Sequence, residues 1–288
     1  MRSPLLTILS LLLLCGSVFA IDLSSPAAYF DTFLKTRADL SGKETVFHWT
    51  GKVYGMVPGE RRTELFAFEG FSVARLEKAE TGYLLLTREA AFFKDPRTGE
   101  ILGTWRNPYL KNAETQVVHI WNDPVNQDFG FSAEDMPLIS KFLPSEDLGS
   151  ELVFYMDLFP LYESPLPRKE YSQFSQSDIY QAAEFFQFYV PKSAIADSSL
   201  TSLPCNISWT RISPWMPFMR MGDRKGNLVF ACRGSKLEGG FEALPAQIRN
   251  YVMEKAPRFA TAPDEYSEPN ETSWTYFKKL MDAGVIKP

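Results

Sequence analysis

Leu5 to Leu14 form a nearly unbroken apolar block, with the lone cation Arg2 before it and Val18-Phe19-Ala20 after it. A positive start, a short apolar centre and small residues at the end make a secretory leader, too short for a membrane-spanning helix. Cleavage is expected near Ala20, with residues 1–20 as signal peptide and 21–288 as the mature chain. The chain is then expected to be secreted, or to lie in a periplasm or secretory-pathway lumen. From 26 to 40 the apolar positions Tyr29, Phe30, Phe33 and Leu34 recur at helical spacing, which predicts an N-terminal helix.

Beyond Glu44 the period shortens and β-branched and aromatic residues dominate. Thr45 to Val57 and Thr63 to Leu76 flank Pro58-Gly59 and read as a hairpin. Tyr83 to Lys94 follows the Thr81-Gly82 turn, and Asp95-Pro96-Arg97-Thr98-Gly99 turns the chain again. Ile101 to Trp105 and Thr115 to Trp121 complete an expected five-strand meander. Residues 122–147 carry three prolines and read as loop. Leu152 to Phe159 is a further strand. Phe174 to Val190 is ambiguous, with strand preferred in its second half. Cys205 to Ile212 and Asn227 to Arg233 are strands. Leu244 to Lys255 and Trp274 to Ala283 are helices, the latter capped at Thr272/Ser273.

The resulting expectation is a mainly β fold. It is an antiparallel, barrel-like (calycin/lipocalin-like) meander with flanking N- and C-terminal helices, forming one domain over 21–288. Closure would remove exposed sheet edges and leave room for one small ligand. A two-sheet sandwich is the competing architecture. Aromatic residues make up 14% of the chain, which favours strands or an aromatic-lined cavity.

The formal charge is −5 and no basic stripe occurs, so nucleic acid is not an expected partner. No second apolar run approaches membrane length, so stable membrane insertion is not expected either. The oligomeric state is not legible. In an oxidising compartment Cys205 and Cys232 are expected to form a disulfide, with two buried free thiols as the alternative. Asn206-Ile-Ser208 and Asn270-Glu-Thr272 are glycosylation sequons, Asn270 in the more polar setting.

Metalloprotease, nucleophile-elbow, P-loop and dinucleotide motifs are absent, and neither a metal nor a cofactor is expected. The two histidines, His48 and His119, lie inside predicted strands. Each is either a core hydrogen-bonder or a cavity-facing acid–base group. Alternation puts His119 in phase with Val117 and Trp121, and Asp123 follows, so His119, His48 and Asp123 are the catalytic candidates. Tyr54, Trp105, Arg106, Asn107, Trp121 and Asn122 are the substrate-binding candidates, the last five at strand ends where such proteins place ligand contacts. Their ordinary alternative is turn chemistry. Glu69, Arg88 and Glu89 stand mid-strand and are expected to face solvent. The bulky run from Trp209 and Arg211 to Met221 either walls a pocket or plugs the end of the barrel.

Gly51-Lys-Val-Tyr-Gly55 with Pro58-Gly59, Asp95-Pro-Arg-Thr-Gly-Glu100, Trp105-Arg-Asn-Pro108, Val118-His-Ile-Trp-Asn-Asp-Pro-Val-Asn126 and Met221-Gly222 form a set. As a set they resemble an uncharacterised family, DUF1838. That resemblance implies a single domain and no particular activity.

Two functions remain open. One is a cofactor-independent cyclase, isomerase or lyase acting on a small hydrophobic molecule. The other is a non-catalytic carrier of an apolar ligand. Ionisable groups converging in the main cavity would favour the enzyme.

Overall fold

The computed structural model describes residues 23–131 and 134–286, so the expected leader and cleavage point lie outside the described residues. The strands are β1 (Thr45–Met56), β2 (Thr63–Lys78), β3 (Tyr83–Lys94), β4 (Thr104–Asn107), β5 (Ala113–Gln116), β6 (Ile120–Asn122), β7 (Gln127–Phe129), β8 (Ser145–Asp147), β9 (Glu151–Leu158), β10 (Leu161–Glu163), β11 (Ile179–Gln181), β12 (Ala183–Pro191), β13 (Asn206–Ser213) and β14 (Asn227–Leu237). Helices span Pro26–Arg37, Ala246–Lys255 and Ser273–Asp282, with shorter turns elsewhere. The last begins with a capping box between Thr272 and Thr275. No described helix is long and apolar enough to cross a membrane.

Ten strands join one antiparallel sheet in the order β6-β3-β2-β1-β14-β13-β12-β9-β8, with β7 also on β3. The fold is therefore mainly antiparallel β, as its alternating pattern predicts. The meander differs from expectation after β3. Ile101 makes only an isolated bridge to Lys94, while β4 and β5 form a separate hairpin. The chain then returns to β3 through β6 and β7.

The hydrogen-bonded ladder is open, because its end strands β6, β7 and β8 do not pair with one another. It is nonetheless strongly curled. β3 and β12 are five strands apart, about 24 Å in a flat sheet, yet Glu89 of β3 and Glu184 of β12 line one cavity. Helix Pro26–Arg37 bridges the two ends. Phe33 packs edge-on against Phe129 of β7 at 5.8 Å and Phe154 of β9 at 5.5 Å. Curling crowds the inner face, and glycines relieve the crowding. Trp49 is flanked in register by Gly70 and Gly234. A Cβ at Gly70 would come within 2.8 Å of the Trp49 ring and 2.6 Å of Ala91.

Alternation divides the core in two. Inner-face residues such as Phe68, Phe93, Trp209 and Phe230 form the larger cluster, which continues through the N-terminal helix to Phe277 near the C-terminus. On the outer face Val46, Phe71, Ala90 and Phe92 pack against Ile248, Val252 and Phe259.

The expected disulfide is not present: Cys205 and Cys232 are both buried free thiols. The register gives the reason. Cys232 stands opposite Trp209, four residues along from Cys205, a separation of about 13 Å, whereas a disulfide needs Cα atoms within about 7 Å. Burial pushes both thiols up to about 12, which suppresses the reactive thiolate. Both cysteines should resist iodoacetamide in the folded protein and both should be alkylated after unfolding without reductant. Peptide mapping that recovers a Cys205–Cys232 cross-link would contradict the register.

Candidate functional site

The concave side of the curled sheet holds a cavity of about 290 Å³. Period-two alternation aims its walls. On β12, Glu184, Phe186 and Phe188 point inward; on β13, Ile207, Trp209 and Arg211 do so. The strands run antiparallel with Glu184 opposite Arg211 and Phe188 opposite Ile207. One end of the cavity is therefore charged and the middle is aromatic. Phe186 stacks on both Phe188 and Trp209 at about 6 Å. Thr87 and Glu89 of β3 and Asn122 of β6 face them from the opposite wall, and residues 270–273 of the C-terminal segment complete the lining.

The C-terminal segment is tied in place by carboxamides. The Asn126 N–H donates to Asn270 Oδ1 at 2.7 Å, and Asn270 Nδ2 donates to the Asn126 carbonyl at 2.8 Å. Asn126 Oδ1 in turn accepts the Thr87 N–H at 2.9 Å. Asn270 is exposed, as a glycosylation acceptor must be, but its carboxamide is engaged; Asn206 is exposed on β13.

The charged end is a network. Trp209 Nε1 donates to Glu184 Oε2 at 3.0 Å, Arg211 Nε lies 3.6 Å from Glu184 Oε1, and Arg211 Nη2 donates to the Tyr180 hydroxyl at 2.6 Å. Burial opposes the charge on Arg211, but Tyr180, Glu184 and Glu89 outweigh it and keep the guanidinium protonated. Across the cavity Glu89 behaves differently. Burial, and then the charge of Glu184, push its carboxyl up to about 7 against the pull of Arg211. A carboxyl poised there exchanges protons near neutral pH. Several buried polar atoms of the lining have no hydrogen-bond partner within the protein: Trp49 Nε1, Thr87 Oγ1, Asn122 Oδ1 and Ser273 Oγ. Such atoms cost stability unless something else satisfies them.

Of the catalytic and substrate-binding candidates read from the sequence, only Asn122 lines this cavity. His119 is placed elsewhere. Its Nδ1 accepts the buried Phe93 N–H at 3.2 Å, its ring also bonds to the backbone of Leu102, and Phe92 and Tyr251 pack edge-on around it. His48 points to the outer face, where its Nε2 meets Glu69 Oε1 at 2.9 Å and Lys94 meets Glu69 Oε2 at 2.5 Å. Burial raises Glu69, but the hydrogen bonds from His48 and Lys94 outweigh it and hold the carboxyl below its ordinary value. Asp123 is clamped between Arg88 at 2.9 Å and Arg258 at 3.0 Å. Trp121 packs outward on Phe92 and Phe259. Asn107 is fully buried, accepts the Tyr109 N–H and donates to the Met219 carbonyl. Arg106 is exposed, Trp105 packs on Phe66, and Tyr54 lies under Arg62. Glu69, Arg88 and Glu89, expected in solvent, are all substantially covered. Trp209 and Arg211 wall the cavity, whereas Trp215 to Met219 sit in the core.

Sequence reasoning thus missed Glu89, Glu184, Arg211 and Tyr180 as a group. The available signal was charge at inward-phased positions of aromatic strands. Among the described residues no cluster of metal-binding side chains occurs.

Residues 42–281 match the family described as protein of unknown function, DUF1838, and the chain belongs to that family. A search of curated proteins found no match.

His119→Gln should therefore act on stability. A mismatched buried partner for the Phe93 N–H costs about 1–3 kcal/mol, readable as a lowered urea midpoint. Burial also holds His119 down at about 4 from an ordinary 6.5. The unfolded chain thus binds that proton more tightly, and stability is lost as pH falls from about 6.5 toward 4. The variant should lose that part of the acid sensitivity.

Proposed function

We propose that the concave cavity binds a small, largely apolar molecule and catalyses a cofactor-independent proton transfer on it, the chemistry of an isomerase, cyclase or lyase. The observation that carries this reading is the convergence of Glu89, Glu184, Arg211 and Tyr180 on one end of an aromatic cavity. Simple carriage of an apolar ligand needs no such group of ionisable residues.

In this reading Glu89 is the acid–base residue. With its carboxyl near 7, both its forms are populated at neutral pH. As carboxylate it removes a proton from a substrate carbon; that proton exchanges with solvent, and as carboxylic acid Glu89 delivers a solvent-derived proton to another position, leaving the enzyme unchanged. Arg211 stabilises the negative charge that develops between the two steps, assisted by Tyr180, whose own O–H remains to donate. Glu184 acts as a positioning residue, fixing Arg211 while being fixed by Trp209. The curled sheet with its bridging helix serves as the equivalent of a calycin-like cup. Export remains part of the proposal and rests on residues 1–20 alone, because free thiols lend it no support.

The test is deuterium uptake. Wild-type protein incubated in heavy water with a metabolite extract should add one mass unit to a particular apolar compound or its product, and Glu89→Gln should reduce that uptake at least about a hundredfold. Apolar binding with no conversion and no uptake would decide for the carrier. The same variant has a stability signature. The folded state holds the Glu89 proton more tightly than the unfolded chain, so native stability declines as pH rises from about 4.5 through 7. Glu89→Gln should abolish that decline and be roughly 3 kcal/mol more stable than wild type at pH 8.

A further inference from the structure

The cavity has a second cation, at the end away from Glu89. Arg37 is the last residue of helix Pro26–Arg37, one turn beyond Phe33 and therefore on the same helix face. Its guanidinium lies 4.7 Å above the Phe188 ring, and Nη2 donates to Gln127 Oε1 at 3.2 Å. Its Nε is buried with no partner in the protein. No carboxylate of the described residues pairs with it, and burial weakens its hold on the proton. A buried cation without an anion is costly.

The other two buried cations nearby are provided for. Lys236 donates to the carbonyls of Lys35 and Ala38 and to Ser202 Oγ at 2.7, 3.2 and 3.0 Å. Arg211 faces Glu184 and Tyr180. Arg211 Nε also lacks a hydrogen bond but lies 3.6 Å from the Glu184 carboxylate; of the three, Arg37 alone has an unused N–H and no carboxylate among the described residues beside it.

We propose that Arg37 seats the carboxylate of an amphipathic acid whose apolar body lies along Phe188, Phe186 and Trp209, with its far end at Glu89 and Arg211. The proposal rests on the cavity's being a ligand site, as argued above, and adds the chemical class of the ligand. The span fits such a molecule: Phe188 and Glu184 are four residues apart on β12, about 13 Å, the length of a chain of roughly ten carbons. The charge fits as well. One guanidinium balances one carboxylate, whereas a phosphate dianion would bring a second negative charge into a cavity already lined by three carboxyl groups, Glu89, Glu184 and Glu271. Burial draws Arg37 down only to about 10, so it remains cationic at physiological pH.

The experiment is calorimetric titration of the protein at pH 8 with three probes: decanoate, 1-decanol and decyl phosphate. Decanoate should bind at least about tenfold tighter than decanol, the value of one hydrogen bond to a charged group. Arg37→Gln should bring the two within about twofold, chiefly by weakening decanoate, and Glu89→Gln should retain the preference for the acid. Equal binding of acid and alcohol by the wild type, or an acid preference that persists in folded Arg37→Gln, overturns the anchor and leaves the cavity reading intact. Tighter binding of decyl phosphate than of decanoate overturns the carboxylate assignment. Failure of the wild type to bind decanoate or decanol overturns both readings. Should Arg37→Gln not fold, the wild-type comparison of acid with alcohol decides by itself.

Discussion

Phe33 is where the two ends of the sheet meet. Hydrogen bonding leaves the ladder open between β7 and β8, so nothing in the backbone alone fixes how far the sheet curls. One aromatic ring contacting Phe129 on one side and Phe154 on the other supplies that constraint. Edge-to-face pairs contribute about 0.5–1.5 kcal/mol each beyond their buried area, and Tyr29 adds a third contact on Phe154 and a hydrogen bond to the Leu143 carbonyl. The cavity's width, and hence the approach of Glu89 to Arg211 from opposite walls, follows from this contact. The next turn of the same helix carries Arg37 to the cavity, so closure and a cavity-facing cation come from one stripe of residues four apart.

The outer face makes the opposite use of charge. Arg88 and Glu89 are neighbours on β3 and alternation sends them to opposite sides. Outside, Arg88 pairs with Asp123 and donates to the carbonyls of Arg258, Thr261 and Ala262, tying the C-terminal segment to the sheet. Inside, Glu89 has no such set of partners and is held near neutrality by burial and a like charge. Buried charges with full sets of partners are structural; those left incompletely matched store the free energy that a ligand or a proton can claim.

The first hairpins were legible in the sequence because their turns are local and their alternation is clean, and Tyr83 to Lys94 forms a strand with the bounds its pattern predicts. What lay out of reach depends on distant register. Both cysteines read as strand residues in the sequence, but Cys205 lies just before β13, and its four-residue offset from Cys232 comes from the pairing of β13 with β14. Glu89 looked like a solvated charge because its partners are supplied by Glu184 and Arg211, about a hundred residues on, and no local pattern announces that they face it. The histidines misdirected attention for a chemical reason. Imidazole titrates near neutral pH when solvated, whereas the aromatic surroundings of His119 remove that property and the cavity confers it on a carboxyl instead.

The polarity of the cavity is the residue of two short patterns that agree. β12 reads Glu, Phe, Phe at its inward positions 184, 186 and 188; β13 reads Ile, Trp, Arg at 207, 209 and 211. Because the strands are antiparallel, the reversed order on β13 brings charge beside charge and apolar beside apolar. A slip of β13 by one residue would turn Ile207, Trp209 and Arg211 outward, and a slip of two would set Glu184 against Trp209 and leave Arg211 unpaired. The gradient from a charged end to an aromatic middle is thus fixed by register, and register is fixed by burial of the aromatics. The stacking of Phe186 between Phe188 and Trp209 serves both demands: it selects the pairing that holds the sheet together and, in doing so, aligns the groups on which any chemistry in the cavity must depend.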